Sequence, residues 1–200
     1  LPLFKAADIV FCNLETVIAD AKYLSPHDHD HRPRTDEWVF LAYLRAGINV
    51  MNVANNPSMY HGLDCFLRSL DVLDAAGVIH GGGGRDLTEA RRPAIIERKG
   101  VKVAFVCRTS VCAVNAAATQ KRGGIAQFRV ATAYEARARI GEVPGSPPII
   151  HTIPNPQDIA DLKEDIQRAK SLADVVVLSW HWGVSPATGT GRRRPTLPGG

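Results

Sequence analysis

The chain has 200 residues, and 45% of them are hydrophobic, which is typical of one globular domain with a sizeable core. Its net charge of +4 at pH 7 is too small to indicate nucleic-acid binding, although Arg192, Arg193 and Arg194 lie together near the end. No apolar run is long enough to predict a transmembrane helix, and no signal peptide is visible.

The first part of the chain predicts strands alternating with a helix. Asp36 and Gly47 occupy positions typical of residues that begin and end a helix. The apolar runs on either side are short and continuous, as in buried strands. In chain order we predict a strand at 8–12, a histidine-rich loop at 20–36, a helix at 37–46 and a strand at 48–54.

The strongest helical pattern follows at residues 63–76. Leu63, Phe66, Leu67, Leu70 and Leu73 repeat at helical spacing, so one face of this helix is expected to be buried. The next residue, Gly77, is expected to end it.

The remainder alternates between clear and irregular patterns. Lys99–Gly100 separates two apolar runs and predicts a hairpin turn. In chain order we predict a strand at 78–80, a brief helix after Asp86, hairpin strands at 94–98 and 101–106, an irregular excursion at 108–156 with a short helix near 133–140, a helix from Asp158 to about Leu172, and a strand at 174–179. This order predicts an α/β fold with a mixed sheet flanked by helices.

Polar side chains follow three of the predicted strands. Asn13 and Glu15 come after the first, Asn55 and Asn56 after the second, and His181 after the last. In α/β proteins, ligands bind at the carboxyl ends of strands. Carboxylate, amide and imidazole together form a plausible set of ligands for a divalent metal.

Each of these residues also has a structural interpretation. Glu15 could cap a turn, and Asn13 could bond to backbone at the strand end. The paired Asn55 and Asn56 could form a turn, because asparagine tolerates left-handed backbone. His181 could be a hydrogen-bonded histidine in a crevice.

Four segments carry a family resemblance: "ADIVFCNLET", "INVMNVANN", the long stretch from "GLDCFLRSL" to "GVKVAFV", and "ADVVVLSWHWGV". In this order, over about residues 6–185, they resemble the CapA-type capsule synthesis proteins. These are also called poly-gamma-glutamate synthesis proteins and are similar to calcineurin-like metallophosphoesterases. The resemblance implies a metallophosphoesterase-like layered sandwich.

The resemblance also implies roles for individual residues. Glu15, Asn56 and His181 match metal ligands, so Mn, Fe or Zn is the expected cofactor, and Asn13 and Asn55 are expected to contact substrate. The family usually has a histidine after the asparagine pair, but this chain has Pro57, which cannot transfer a proton. His61 is the candidate to take its place as the catalytic acid.

Two other patterns have less functional weight. The alternating segment His27–His31 could bind a metal adventitiously, but a solvated loop is the simpler interpretation. Gly81–Gly84 lacks the spacing of a dinucleotide-binding loop and predicts a tight turn.

The family's first Asp motif and its GHxxH-type motif are not found in the chain, so we expect the domain, at residues 1–186, to be incomplete at one or both ends. Residues 187–200 are expected to be a disordered tail. The resemblance implies a role in capsule or poly-gamma-glutamate synthesis or export, with hydrolysis of the polymer or a related ester as one activity. Family members are often associated with the cell envelope, and other capsule-synthesis proteins are possible partners.

The alternative is a non-catalytic module that binds an anionic polymer such as poly-gamma-glutamate or serves as a scaffold. The mildly basic charge suits a polyglutamate partner. The loss of the usual histidine at Pro57 favours this alternative.

Overall fold

The computed structural model describes residues 2–24, 33–113, 115–135 and 148–183. The helices in these residues are α1 (Pro2–Ala6), α2 (Glu37–Ala46), α3 (Gly62–Ala75), α4 (Leu87–Arg91) and α5 (Pro156–Leu172). The strands are β1 (Phe11–Asn13), β2 (Val17–Ile18), β3 (Arg34–Thr35), β4 (Val50–Asn52), β5 (Ile79–Gly81), β6 (Gly83–Gly84), β7 (Ala94–Arg98), β8 (Val101–Thr109), β9 (Gly124–Ile125), β10 (Val130–Glu135), β11 (Ile149–Pro154) and β12 (Val175–His181). The predicted mixed α/β class is confirmed.

The first of the two main sheets contains three parallel strands in the order β1-β4-β5. Asn13 at the end of β1 pairs with Asn52 at the end of β4, and Asn52 pairs with Gly81 on the other side. The carboxyl ends of all three strands therefore lie at one edge of this sheet.

The second main sheet has the order β12-β8-β7, with β12 parallel and β7 antiparallel to the central strand β8. The predicted hairpin between β7 and β8 is confirmed, and its turn contains Lys99 with φ 53° and Gly100 with φ 78°. Two successive positive φ angles are typical of the type I′ turn, which matches the twist of a hairpin.

Alternating side chains bring the two sheets together. Val50 of β4 packs with Ile96 and Phe105 of the second sheet, and the rings of Phe11 and Phe105 are stacked with centroids 4.7 Å apart. The next residue of β4, Met51, faces the opposite cluster, formed with α2 and α3.

The outer face of the second sheet packs against α5. Ala104 and Val106 of β8 contact Leu162 and Ala169 of this helix in a third cluster. Helices thus cover the outer faces of both sheets, and apolar side chains fill the space between the sheets.

Helices α2 and α3 form as their sequences predict. In α3, Phe66, Leu70 and Leu73 are buried at helical spacing, and Gly77 follows with a φ of 69°. In α2, Asp36 lies at the N-cap position, but the side chain that accepts a bond from the Glu37 amide belongs to Asp20.

Two expectations for the second half of the chain are wrong. Helix α5 begins at Pro156 with Asn155 as its cap, and Asp158 lies inside its first turn. The excursion contains an antiparallel ribbon of β10 and β11, so residues 133–135 are extended and not helical. Residues 136–140 of that expected helix lie outside the described residues.

Three further expectations also fall outside the described residues: the histidine-rich segment His27–His31, the domain boundary at residue 186 and the tail at 187–200. Among the helices that are described, none is long and apolar enough to cross a membrane.

Candidate metal site at the strand ends

The turn after β4 has a compact local structure. The Ala54 amide donates a hydrogen bond to Asn52 Oδ1 (2.8 Å), and the Asn55 amide donates to the Val53 carbonyl (3.0 Å). A 3-10 turn then begins at Asn56, with Pro57 in its first turn. Proline suits this position, because an amide in a first turn has no partner within the helix.

The three predicted metal ligands lie together. His181 Nε2 is 2.8 Å from Asn56 Oδ1 and 3.6 Å from Glu15 Oε1. His181 ends β12 in the second sheet, whereas Glu15 and Asn56 follow strands of the first. The site therefore spans the ends of both sheets.

The side chains at this site differ in exposure and charge. The Glu15 side chain is 58% exposed, whereas that of His181 is 19% exposed. Asn56 Nδ2 donates a hydrogen bond to the Tyr60 hydroxyl (2.9 Å), and Asn56 Oδ1 accepts one from His181 Nε2 (2.8 Å). The arrangement thus presents a carboxylate, an amide oxygen and a ring nitrogen to one another.

Carboxylate, amide oxygen and imidazole nitrogen are types of ligand that divalent cations accept. Ligand atoms bound at about 2.0–2.2 Å in a tetrahedral site lie roughly 3.3–3.6 Å apart. The separation of 3.6 Å between His181 and Glu15 agrees with this range, whereas the 2.8 Å between His181 and Asn56 is a hydrogen-bond distance. The described part of the chain contains no group of three His, Cys, Asp or Glu residues that could hold a metal. A metal here would therefore need the Asn56 amide oxygen as well as Glu15 and His181.

Three cysteines, Cys12, Cys107 and Cys112, have thiols whose pKa is raised by burial. The pKa of Cys107 rises to about 12. These thiols are therefore protonated at neutral pH in the metal-free protein.

Asn13 lies beside a cleft that Glu15 also lines, whereas Asn56 and His181 do not line it. Asn13 is an exposed residue at the end of β1, and together with Glu15 and Arg34 it lines this cavity of about 390 Å³. Contact between Asn13 and a substrate stays a prediction.

Asn55 and His61 are buried. Asn55 is fully buried, and its Nδ2 donates hydrogen bonds to the carbonyls of Asn52 (2.9 Å) and Leu14 (3.1 Å). It thereby supports the strand end, and its predicted contact with substrate is untested. His61 is 7% exposed and directly precedes α3, and its catalytic role likewise stays a prediction.

Sequence reasoning missed Asn52 and Ser179. Asn52 is fully buried, and its Nδ2 donates a hydrogen bond to Ser179 Oγ (3.0 Å). The available signal was a polar residue inside the otherwise apolar strand 50–54.

The fold and the site define a class of protein. It is a mixed α/β protein in which a carboxylate, an amide and an imidazole lie together at the ends of the strands. A family model described as bacterial capsule synthesis protein PGA_cap matches residues 1–193. The chain belongs to this family of capsule synthesis proteins, and the CapA-type resemblance is confirmed.

Two curated relatives match parts of the chain. A probable polyglutamine synthesis accessory protein of Mycobacterium tuberculosis is 26% identical over 184 residues, which are 89% of this chain and 42% of that protein. An uncharacterized protein of Sinorhizobium fredii is 32% identical over 119 residues, 54% of this chain and 24% of the relative. The chain spans less than half the length of these relatives.

Proposed function

We propose that this chain is a metal-dependent hydrolase domain acting in capsule or poly-gamma-glutamate synthesis or export. Its substrate would be the polymer itself or a related ester. The observation that carries the proposal is the convergence of Glu15, Asn56 and His181. His181 Nε2 lies 2.8 Å from Asn56 Oδ1 and 3.6 Å from Glu15 Oε1.

The proposal includes a metallophosphoesterase-like layered sandwich. Support comes from the apolar cluster between the two sheets and from the clusters that pack α3 and α5 on their outer faces. A site at the strand ends of such layers is where α/β proteins bind ligands.

Glu15, Asn56 and His181 would hold Mn, Fe or Zn. Glu15 contributes a negative charge, Asn56 a neutral oxygen and His181 a neutral ring nitrogen. When bound, such a metal lowers the pKa of water and supplies a nucleophile at neutral pH.

The remaining roles belong to the cleft that Glu15 lines and to His61. Asn13 and Arg34 also line this cleft. Because Arg34 is already paired with Asp36, Asn13 would be the group that orients an anionic polymer beside Glu15. Pro57 has no proton to give, so the proposal assigns proton donation to the leaving group to His61.

A specific observation favours the non-catalytic alternative. Pro57 replaces the usual proton donor, and His61 is only 7% exposed. The same cleft would then bind an anionic polymer such as poly-gamma-glutamate without cleaving it.

Incubation with poly-gamma-glutamate in the presence of Mn²⁺ or Zn²⁺ distinguishes the hydrolase from the non-catalytic binding module. The hydrolase proposal predicts shorter chains and one new amino group for each bond cleaved, both lost in Glu15→Gln/His181→Ala. A matched control is Glu135→Gln/His151→Ala, which removes an exposed His–Glu pair 2.6 Å apart on the ribbon. Retention of the polymer without cleavage would support the binding module, and neither cleavage nor retention would contradict both for this polymer.

A further inference from the structure

Asn52 connects the two segments that carry Glu15 and His181. It lies at the end of β4, is fully buried and uses both its backbone and its side chain in bonds to other segments. A buried polar side chain with all these bonds is costly to replace, since each broken bond leaves a desolvated partner.

The first connection fixes the backbone next to Glu15. The Asn52 carbonyl accepts hydrogen bonds from the Leu14 amide and from Asn55 Nδ2, both at 2.9 Å. The same Asn55 nitrogen also donates to the Leu14 carbonyl at 3.1 Å. The residue before Glu15 is therefore held through both its amide and its carbonyl.

The second connection reaches the strand that carries His181. Asn52 Nδ2 donates to Ser179 Oγ at 3.0 Å. Ser179 and His181 are two residues apart on β12, so their side chains point to the same face. The pair Asn52–Ser179 and the pair Asn56–His181 thus form two successive contacts between the sheets.

The Asn52 amide is held in one orientation. Its Oδ1 accepts from the Ala54 amide at 2.8 Å, so the nitrogen must face Ser179. Gly82, at φ 86°, packs so closely that a Cβ there would lie 2.9 Å from Asn52 Oδ1 and 2.7 Å from the Cβ atoms of Ala54 and Cys107.

We infer that Asn52 is a positioning residue for the metal site: through Leu14 and Ser179 it sets the separation of Glu15 and His181. The inference rests on the proposed metal site. Residues behind metal ligands orient them, and their loss typically weakens metal affinity by about 10- to 100-fold.

Ser179→Ala tests the inference with the least disturbance of the fold, because it deletes one hydroxyl. Binding of Zn²⁺ alone, measured by chelator competition, is expected to weaken about 10-fold. Ser179→Thr, which keeps the hydroxyl, should restore most of the affinity.

Ser69→Ala is the matched control. Its buried hydroxyl accepts a hydrogen bond from the Ile18 amide of β2 and is within donating distance of the Ile18 and Cys65 carbonyls. It therefore links α3 to β2. This variant should lose stability in urea without a change in zinc affinity, which separates positioning from general destabilisation.

The outcomes are distinguishable. Equal zinc affinity in wild type and Ser179→Ala would overturn the positioning role and leave the proposed function standing. Equal weakening in Ser69→Ala would also overturn it. Absence of zinc binding in the wild type would overturn the metal site of the proposed function and the inference with it.

Discussion

Asp165 is a buried carboxylate that pairs with three arginines. It is fully buried in α5 and accepts bonds from Arg91 (2.9 Å), Arg168 (2.7 Å) and Arg108. Burial lowers the pKa of the Arg108 guanidinium, although the neighbouring Asp165 opposes this effect. The buried charge of Arg108 is therefore compensated by the Asp165 carboxylate.

We expect Asp165→Leu to destabilise the fold by about 3–5 kcal/mol, since it leaves Arg108 buried without a counter-charge. The double variant Asp165→Leu/Arg108→Met should recover much of this loss, because it removes both the buried carboxylate and the buried guanidinium. Urea denaturation of wild type, both single variants and the double variant measures the coupling. Additive losses would contradict the compensation of Arg108 by Asp165.

Glu37 and Arg68 provide a pH-dependent contribution at the surface of α2 and α3. Arg68 donates two hydrogen bonds to the Glu37 carboxylate, at 2.7 and 2.6 Å, and this pairing lowers the pKa of Glu37. Since the folded pKa is below the unfolded value, the stabilisation is fully present above about pH 4.3 and is lost as pH falls through the lower folded pKa.

We therefore expect Glu37→Gln to lower the free energy of unfolding by less than about 1 kcal/mol near neutral pH. The difference from wild type should shrink as the pH is lowered from about 5 towards the folded pKa. Urea denaturation at several pH values measures it. A difference that does not vary with pH would show that the ion pair contributes nothing.

At the scale of elements, the start of α5 depends on Asn155. Its Oδ1 accepts from the amides of Gln157 (3.0 Å) and Asp158 (3.2 Å), and Pro156 occupies the first turn. The Asp158 carboxylate instead accepts bonds from the backbone and side chain of Arg129. The two residues therefore have different roles.

Asn155→Ala should lower the free energy of unfolding by about 1 kcal/mol, the usual cost of losing an N-cap. Asn155→Asp keeps a cap acceptor and should lose much less. Thermal or urea unfolding compares the two variants. Equal losses would mean that the side-chain acceptor does not stabilise the helix.

The accuracy of sequence-based prediction also varies with the element. Helix α3 was predictable because its buried face repeats at helical spacing. The ribbon of β10 and β11 was not, because all its residues are exposed and the strands carry no alternation of buried and polar positions. The cap at Asn155 had a usable signal in the Asn–Pro pair, since proline favours the first turn.

For the site, the strand ends and the family resemblance were sufficient to nominate Glu15, Asn56 and His181. Their mutual distances were not predictable, because they depend on how the two sheets pack. Asn52 was missed for the same reason: its partner Ser179 lies in the other sheet, far away in sequence.

At the scale of the whole molecule, the proposed metal ligands come from opposite ends of the described chain. Only the folded chain brings Glu15 and His181 to within 3.6 Å. A cation that binds the folded and not the unfolded chain stabilises the fold by mass action. Metal binding and global stability should therefore rise together.

The most direct test is metal content per chain, measured by elemental analysis of protein purified without a histidine tag. The account predicts near-stoichiometric Mn, Fe or Zn in the wild type and in the control Glu135→Gln/His151→Ala, and its loss in Glu15→Gln/His181→Ala. Absence of metal from the wild type, or metal that the site substitutions leave unchanged, would contradict the account.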